Sequence, residues 1–105
     1  MAYSPVPSSR KALEKAGLTI ADIDRWEINE TFACQAVACV KELRLNINKV
    51  NVNCGAVGIG HPLAAIGTRL VLTMAHELKR SGGKYGVATA CIGGGQGIAM
   101  VIESL

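Results

Sequence analysis

The sequence predicts an α/β domain, a mixed and mostly parallel sheet flanked by helices. Three observations carry this expectation. Apolar residues recur at helical spacing over Glu30–Leu43 and Leu63–Leu78, between short runs of strand character. Hydrophobic residues make up 50% of the chain and aromatics only 4%, so the core is built from Ala, Val, Ile, Leu and Gly, which suits closely packed helices and sheets. The last two apolar runs, in "KYGVATACIGGGQGIAMVIE", are joined by a triple glycine, too short for a parallel crossover, so that pair is antiparallel. A length of 105 residues sets one domain, residues 1–105.

"SPVPSSRKALEKAG" reads as a capped helix, with Ser8 or Ser9 at the N-cap and Gly17 as the stop. Thr19 and Asp22 form a capping-box pair on a very short helix, and Trp26–Ile28 reads as a strand. Asn29 takes the N-cap of the next helix, whose face is Phe32, Ala33, Ala36, Val37, Val40 and Leu43. "INKVNVN" fits a strand ending near Val52. Pro62 suits the first position of a helix with the stripe Leu63, Ile66, Leu70, Met74 and Leu78. Lys79 and Arg80 favour its last turn, and Gly82 caps it. "KYGVATACI" and "GIAMVIESL" read as two buried strands. The chain opens on a helix, where a sheet of this class usually opens on a strand, so either the sheet is small or an N-terminal strand is expected to be missing.

Several function classes fall away. The net charge is +3 with 18% charged residues, and no Lys/Arg block is interleaved with aromatics, so nucleic acid is not expected as a partner. No apolar run approaches the roughly 20 residues that cross a bilayer, and no apolar signal segment leads the chain. None of the four cysteines, Cys34, Cys39, Cys54 and Cys91, forms a CxxC pair, so no zinc or other metal site is expected. The expected location is the cytoplasm, with free thiols; an organelle matrix is the alternative. Cys34 and Cys39 read as packing residues within their helix, and His76 as solvated.

Gly93, Gly95 and Gly97 do not make a dinucleotide loop. That fingerprint needs a following helix and an acidic residue about 20 positions on. Only Ile98–Leu105 remain, and they read as a strand. Three polar residues are then of interest. Asn29 follows a strand and precedes a helix, His61 follows a glycine-rich loop and precedes a helix, and Cys91 ends a strand. Ligands of open α/β sheets gather at the C-terminal ends of parallel strands, so all three belong to one edge. A helix N-terminus disfavours imidazolium, and a neutral His61 could polarise a carbonyl; it could equally be a helix cap. Cys91 could be a thiol acidified by surrounding N–H groups or a small core residue. Asn29 taken alone is an N-cap.

Taken together, "INETFACQAVA", "NVNCGAVGIGHPLAAIGTR" and "CIGGGQGIAMVIE" resemble the C-terminal half of the thiolases. The family patterns are close to Asn-Glu-Ala-Phe, Gly-His-Pro and Cys-x-Gly-Gly-Gly, and all three occur here in order. "PVPSSRKALEKAGLTIADID" resembles the segment before them, so the likeness runs along the whole chain.

The resemblance implies a thiolase-like C-terminal half-domain. It implies acyl transfer between coenzyme A thioesters, by Claisen condensation or by thiolysis of 3-ketoacyl-CoA. Acyl-CoA and CoA are the implied substrates, and no metal or redox cofactor is implied. His61 matches the histidine that activates the acylated cysteine and helps bind the thioester oxygen. Asn29 matches the asparagine holding a water in the same oxyanion hole. Cys91 matches the cysteine that moves the α-proton, and the Gly93 N–H matches a donor of the second oxyanion hole. Phe32 matches a residue lining the pantetheine tunnel, and Thr31 beside it stands where alanine is usual. Cys54, Ala64 and Ile66 also depart from the usual glycine, glycine and serine.

The acylated cysteine belongs to the family's N-terminal half. Cys34, Cys39 and Cys54 do not stand in its sequence context. The expected partner is therefore a thiolase N-terminal half, without which the chain would be inactive. The alternatives are a non-catalytic remnant that folds and self-associates, and a small nucleotide- or CoA-binding module.

Overall fold

The structure is a computed structural model and describes residues 5–30, 33–53, 66–92 and 96–104. Helix α1 spans Pro5–Ala16. It begins earlier than the serines suggest. Pro5 and Pro7 occupy the first turn, where a missing N–H costs nothing, and Ser9 is buried instead of capping. Gly17 stops the helix at φ +71°, and the Leu18 N–H returns to Leu13 O at 3.0 Å. A 3-10 turn at Ile20–Asp22 follows the predicted pairing: Asp22 Oδ2 accepts the Thr19 N–H at 2.9 Å and the Thr19 hydroxyl at 3.1 Å.

Strand β1 is Arg25–Ile28, and helix α2 is Ala33–Leu43. The inward face of α2 is rotated from the expected one. Gln35, Ala36, Cys39 and Leu43 are buried, whereas Val37 is 49% exposed and Cys34 is exposed, so Cys34 is not a packing residue. "INKVNVN" is not a strand. It gives a 3-10 turn at Ile47–Lys49, capped by Asn46, whose side chain accepts the Asn48 N–H at 3.0 Å, and then a single parallel bridge from Val50 to Trp26. Asparagines compete locally for backbone groups and end the run before a ladder forms.

Helix α3, Ile66–Ser81, buries Ile66, Leu70, Met74 and Leu78 as expected and adds Glu77. Gly82, at φ +74°, caps it, with the Gly83 N–H on Leu78 O at 3.1 Å. Strands β2, Tyr85–Ile92, and β3, Gln96–Glu103, complete the sheet. Among the described residues no helix is long and apolar enough to cross a membrane.

The sheet order is β1-β2-β3. The pair β1–β2 is parallel, from Arg25↔Gly86 to Ile28↔Thr89. The pair β2–β3 is antiparallel, from Tyr85↔Glu103 to Ile92↔Gln96. Alternation then divides the core. Trp26, Ile28 and Val87 pack with Val6, Leu13, Cys39 and Leu43 of α1 and α2. Ala88 and Ala90 meet Ile66 and Leu70 of α3 on the other face. Strand β3 is less buried than expected, with Ile98 at 58% and Met100 at 52% exposure. Asp24 starts the parallel pair. Its carboxylate accepts the N–H groups of Lys84 (2.7 Å) and Tyr85 (3.2 Å), which hold its pKa below the ordinary value.

Candidate active site

The C-terminal ends of β1 and β2 meet at one edge of the sheet. The Asn29 N–H donates to Thr89 O at 2.9 Å, extending the parallel ladder one step past Ile28. Cys91 lies two residues further along β2, opposite Gly97 of β3. The backbones of Asn29 and Cys91 therefore share the edge where sequence reasoning put them. Asn29 is 3% exposed, and its Oδ1 takes no hydrogen bond among the described residues. Thr89 secures the same edge from β2: its hydroxyl donates to Ile98 O at 3.0 Å and lies 3.5 Å from Ser8 Oγ on α1.

On its other side, among the described residues, β1 is met by Val50 and Asn51. The Asn51 N–H donates to Trp26 O at 2.8 Å. Its side-chain Oδ1 accepts the Ile28 N–H at 2.8 Å, and its Nδ2 donates to Ile28 O at 2.9 Å. The residue has φ +48°, a left-handed conformation that asparagine tolerates better than most side chains.

Charged groups fill the space between β1 and α3. Glu27 is 2% exposed, and its Oε1 lies 3.7 Å from Arg69 Nη1. Burial lifts the Glu27 carboxyl to about 7; Arg69 opposes the shift, while Glu30 and Glu77 add to it. Glu77 behaves in the opposite way because it is richly bonded. It accepts from Arg80 Nε (2.9 Å) and Nη2 (2.8 Å), from Asn53 Nδ2 (3.0 Å) and from Arg25 Nε (3.1 Å). The Arg80 bonds foremost, with those of Asn53 and Arg25, outweigh burial and bring its pKa down to about 2. Among the described residues no His, Cys, Asp and Glu side chains gather as a metal site.

Of the residues singled out in the sequence, Asn29 and the Cys91 backbone come together. His61, Gly93, Phe32 and Thr31 lie outside the described residues, as do Cys54, Ala64 and the start expected at Pro62. Ile66 is buried in the α3 interface. His76 is exposed, as expected. Sequence reasoning missed Glu27, Arg69, Glu77 and Asn51. The signal for Glu27 was a carboxylate between the apolar strand residues Trp26 and Ile28. For Asn51 it was an asparagine inside a supposed strand, a place where Asn is depleted.

The sequence matches the family described as thiolase, C-terminal domain, over residues 1–104. It is 51% identical over 107 residues to an acetyl-CoA acetyltransferase of Syntrophomonas wolfei, covering 100% of this chain and 27% of that protein. It is 53% identical over 104 residues to the mitochondrial 3-ketoacyl-CoA thiolase of Homo sapiens, covering 99% of this chain and 26% of the relative. The crystal structure of that human thiolase in complex with CoA superposes with a TM-score of 0.97 at 52% identity, again over 99% of this chain and 26% of the other. The chain thus spans about a quarter of the length of the curated relatives it matches.

Proposed function

Because the chain belongs to the thiolase family, as its C-terminal domain, we propose that it supplies the proton-transfer and oxyanion-binding residues of a thiolase centre, acting with an N-terminal part that carries the acylated cysteine. The reaction is acyl transfer between CoA thioesters. In thiolysis the partner's cysteine attacks the keto carbon of a 3-ketoacyl-CoA. The bond between that carbon and the α-carbon breaks, leaving an acyl group on the enzyme and the enolate of a shorter acyl-CoA. Cys91 gives the enolate its proton, and the thiol of a free CoA, losing its proton to the Cys91 thiolate, then takes the enzyme-bound acyl group and releases the partner's cysteine. Condensation runs the same steps backwards, with Cys91 as the base.

His61 activates the nucleophile and, together with a water held by Asn29, faces the thioester oxygen. The Gly93 N–H serves the second oxyanion hole, and Phe32 and Thr31 line the approach of the pantetheine arm. An α-proton of a thioester is weakly acidic, so its enolate needs both a base and aimed donors. Losing one such donor typically costs about 2.7–4 kcal/mol of barrier. An unperturbed thiol has a pKa of about 8.5, and the thiolate is the form that acts as a base. CoA and its thioesters are substrates, and the steps call for no metal or redox cofactor. Free thiols suit a reducing compartment, the cytoplasm or an organelle matrix; the human relative is named mitochondrial.

The observation that most supports this reading is the bond from the Asn29 N–H to Thr89 O, at the edge where β2 continues to Cys91. The test mixes the chain with the N-terminal part of a thiolase and follows cleavage of a 3-ketoacyl-CoA. A rate above either part alone is expected, with a loss of about a hundredfold or more in Cys91→Ser and in Asn29→Ala. No gain in rate despite a demonstrated complex would remove the catalytic reading.

A second reading, a non-catalytic domain that self-associates, is favoured by one surface. Ile98 and Met100 are 58% and 52% exposed. A shallow apolar groove of about 130 Å³ runs between α3 and β3, lined by Gly67, Val71, Ala88, Ile98 and Met100 among others. Such a patch finds a partner, either the N-terminal part or a second copy.

A further inference from the structure

We propose that Asn51 is a positioning residue for Asn29, its carboxamide standing in for a neighbouring strand and fixing the peptide that carries Asn29. The role rests on the reading of Asn29 as the water-holding residue of the proposed function. The peptide joining Ile28 to Asn29 is gripped from both sides. Its carbonyl oxygen accepts Asn51 Nδ2 at 2.9 Å, and its N–H donates to Thr89 O at 2.9 Å. The preceding Ile28 N–H is held by Asn51 Oδ1 at 2.8 Å.

A carboxamide has one acceptor and one donor side by side, the same pair that a strand peptide offers. One asparagine thus satisfies the last two backbone sites of β1, where, among the described residues, no further strand pairing follows the bridge at Val50. The Asn51 N–H on Trp26 O anchors the clip itself. With its peptide fixed in plane and direction, Asn29 keeps one backbone position, and its side chain starts from a fixed Cα. Its buried Oδ1 takes no hydrogen bond among the described residues, so the bonds that hold this residue are those of its backbone.

The clip also ties together two stretches that sequence reasoning treated separately. Asn51 holds β1, and Asn53, two residues on, donates to Glu77 of α3 at 3.0 Å. The chain leading towards His61 therefore leaves from a point fixed to both elements that flank the site. An aspartate at position 51 would keep the acceptor and set an oxygen against Ile28 O. A glycine would keep the φ of +48° and remove the clip alone.

The test uses amide exchange and side-chain amide resonances of the 105-residue chain. In Asn51→Gly, Ile28 N–H exchange should rise about tenfold, the equivalent of one lost hydrogen bond. The Asn29 side-chain signals should shift or broaden, while amides of α1 and β3 stay as they were. A folded Asn51→Gly chain with unchanged Ile28 and Asn29 signals overturns the proposal. Should glycine prevent folding, Asn51→Asp decides: Ile28 N–H protection is kept while the Asn29 signals move, and unmoved Asn29 signals overturn it. Paired with the N-terminal part, Asn51→Gly should lower kcat about tenfold with KM unchanged. An inactive unsubstituted pair would sink the proposed function, and the Asn29 resonances would still decide the role of Asn51.

Discussion

Glu27 Oε1 on β1 lies 3.7 Å from Arg69 Nη1 on α3, with side chains only 2% and 15% exposed. Desolvation wins over this attraction and lifts the carboxyl from 4.5 to about 7. The folded chain therefore binds more protons than the unfolded chain between those values, and its stability falls as pH rises through them. The loss is at most about 3 kcal/mol. Urea unfolding across pH 4.5–7 should show this slope, and Glu27→Gln should flatten it. Arg69→Met, removing the opposing charge, should push the midpoint higher. An unchanged slope in Glu27→Gln would assign it to other groups.

Glu77 gives the opposite sign. Its pKa of about 2 lies below the ordinary 4.5, so its contribution is complete above 4.5 and is lost as pH falls towards 2. Glu77→Gln should lower stability by about 2 kcal/mol at pH 7, since hydrogen bonds to charged groups are worth about 1.5–3 kcal/mol. The gap from the unsubstituted chain should close in acid. A gap that stays constant with pH would show that the carboxylate charge is not what matters.

Gly86 lies directly against Met74 and Leu78 of α3. A Cβ there would come within 2.8 Å of Met74 Cγ and nearer still to its sulfur, and Met74 is fully buried. Gly86→Ala should therefore cost about 1–3 kcal/mol, as overpacking does. Gly67, with open space around it, offers a control: its Ala variant should be as stable as the parent or better. Thermal unfolding of the two variants checks the contrast.

The groove between α3 and β3 predicts a separable association phenotype. Ile98→Glu with Met100→Lys should abolish concentration-dependent sedimentation and leave stability within about 0.5 kcal/mol, because both side chains line the groove and are exposed. Association unchanged in that double variant would place the contact elsewhere.

Much of this architecture was legible because its signals were local. Gly17 and Gly82 announced their left-handed caps, Thr19 and Asp22 their box, and the triple glycine its antiparallel pair. Arg44 shows the limit. It ends α2 at φ +56°, with the Leu45 N–H on Val40 O at 3.0 Å, and nothing in the residue type foretold it. Long-range satisfaction was the harder part. The helical period of α2 was right, but its phase was set by tertiary packing, which buried Cys39 and left Val37 outside. Asn51 read as one residue of a strand, because only the fold reveals that its side chain meets Ile28. The edge shared by the Asn29 and Cys91 backbones was legible from the strand ends, whereas the charges between β1 and α3 became visible only once those elements were in contact.

The strand arrangement also has a kinetic side. Ile92 pairs with nearby Gln96, so β2 and β3 can zip as a local hairpin, whereas residues 25–28 of β1 must find residues 86–89 across most of the chain. Loop-closure entropy makes such distant parallel pairing slow. In pulse-labelled refolding the Asn29 amide, bonded to Thr89 O, should gain protection after the amides of the hairpin. The edge that gathers Asn29 and Cys91 would then be the last seam of the sheet to close, and a chain stalled before that point would carry its helices and hairpin without that edge.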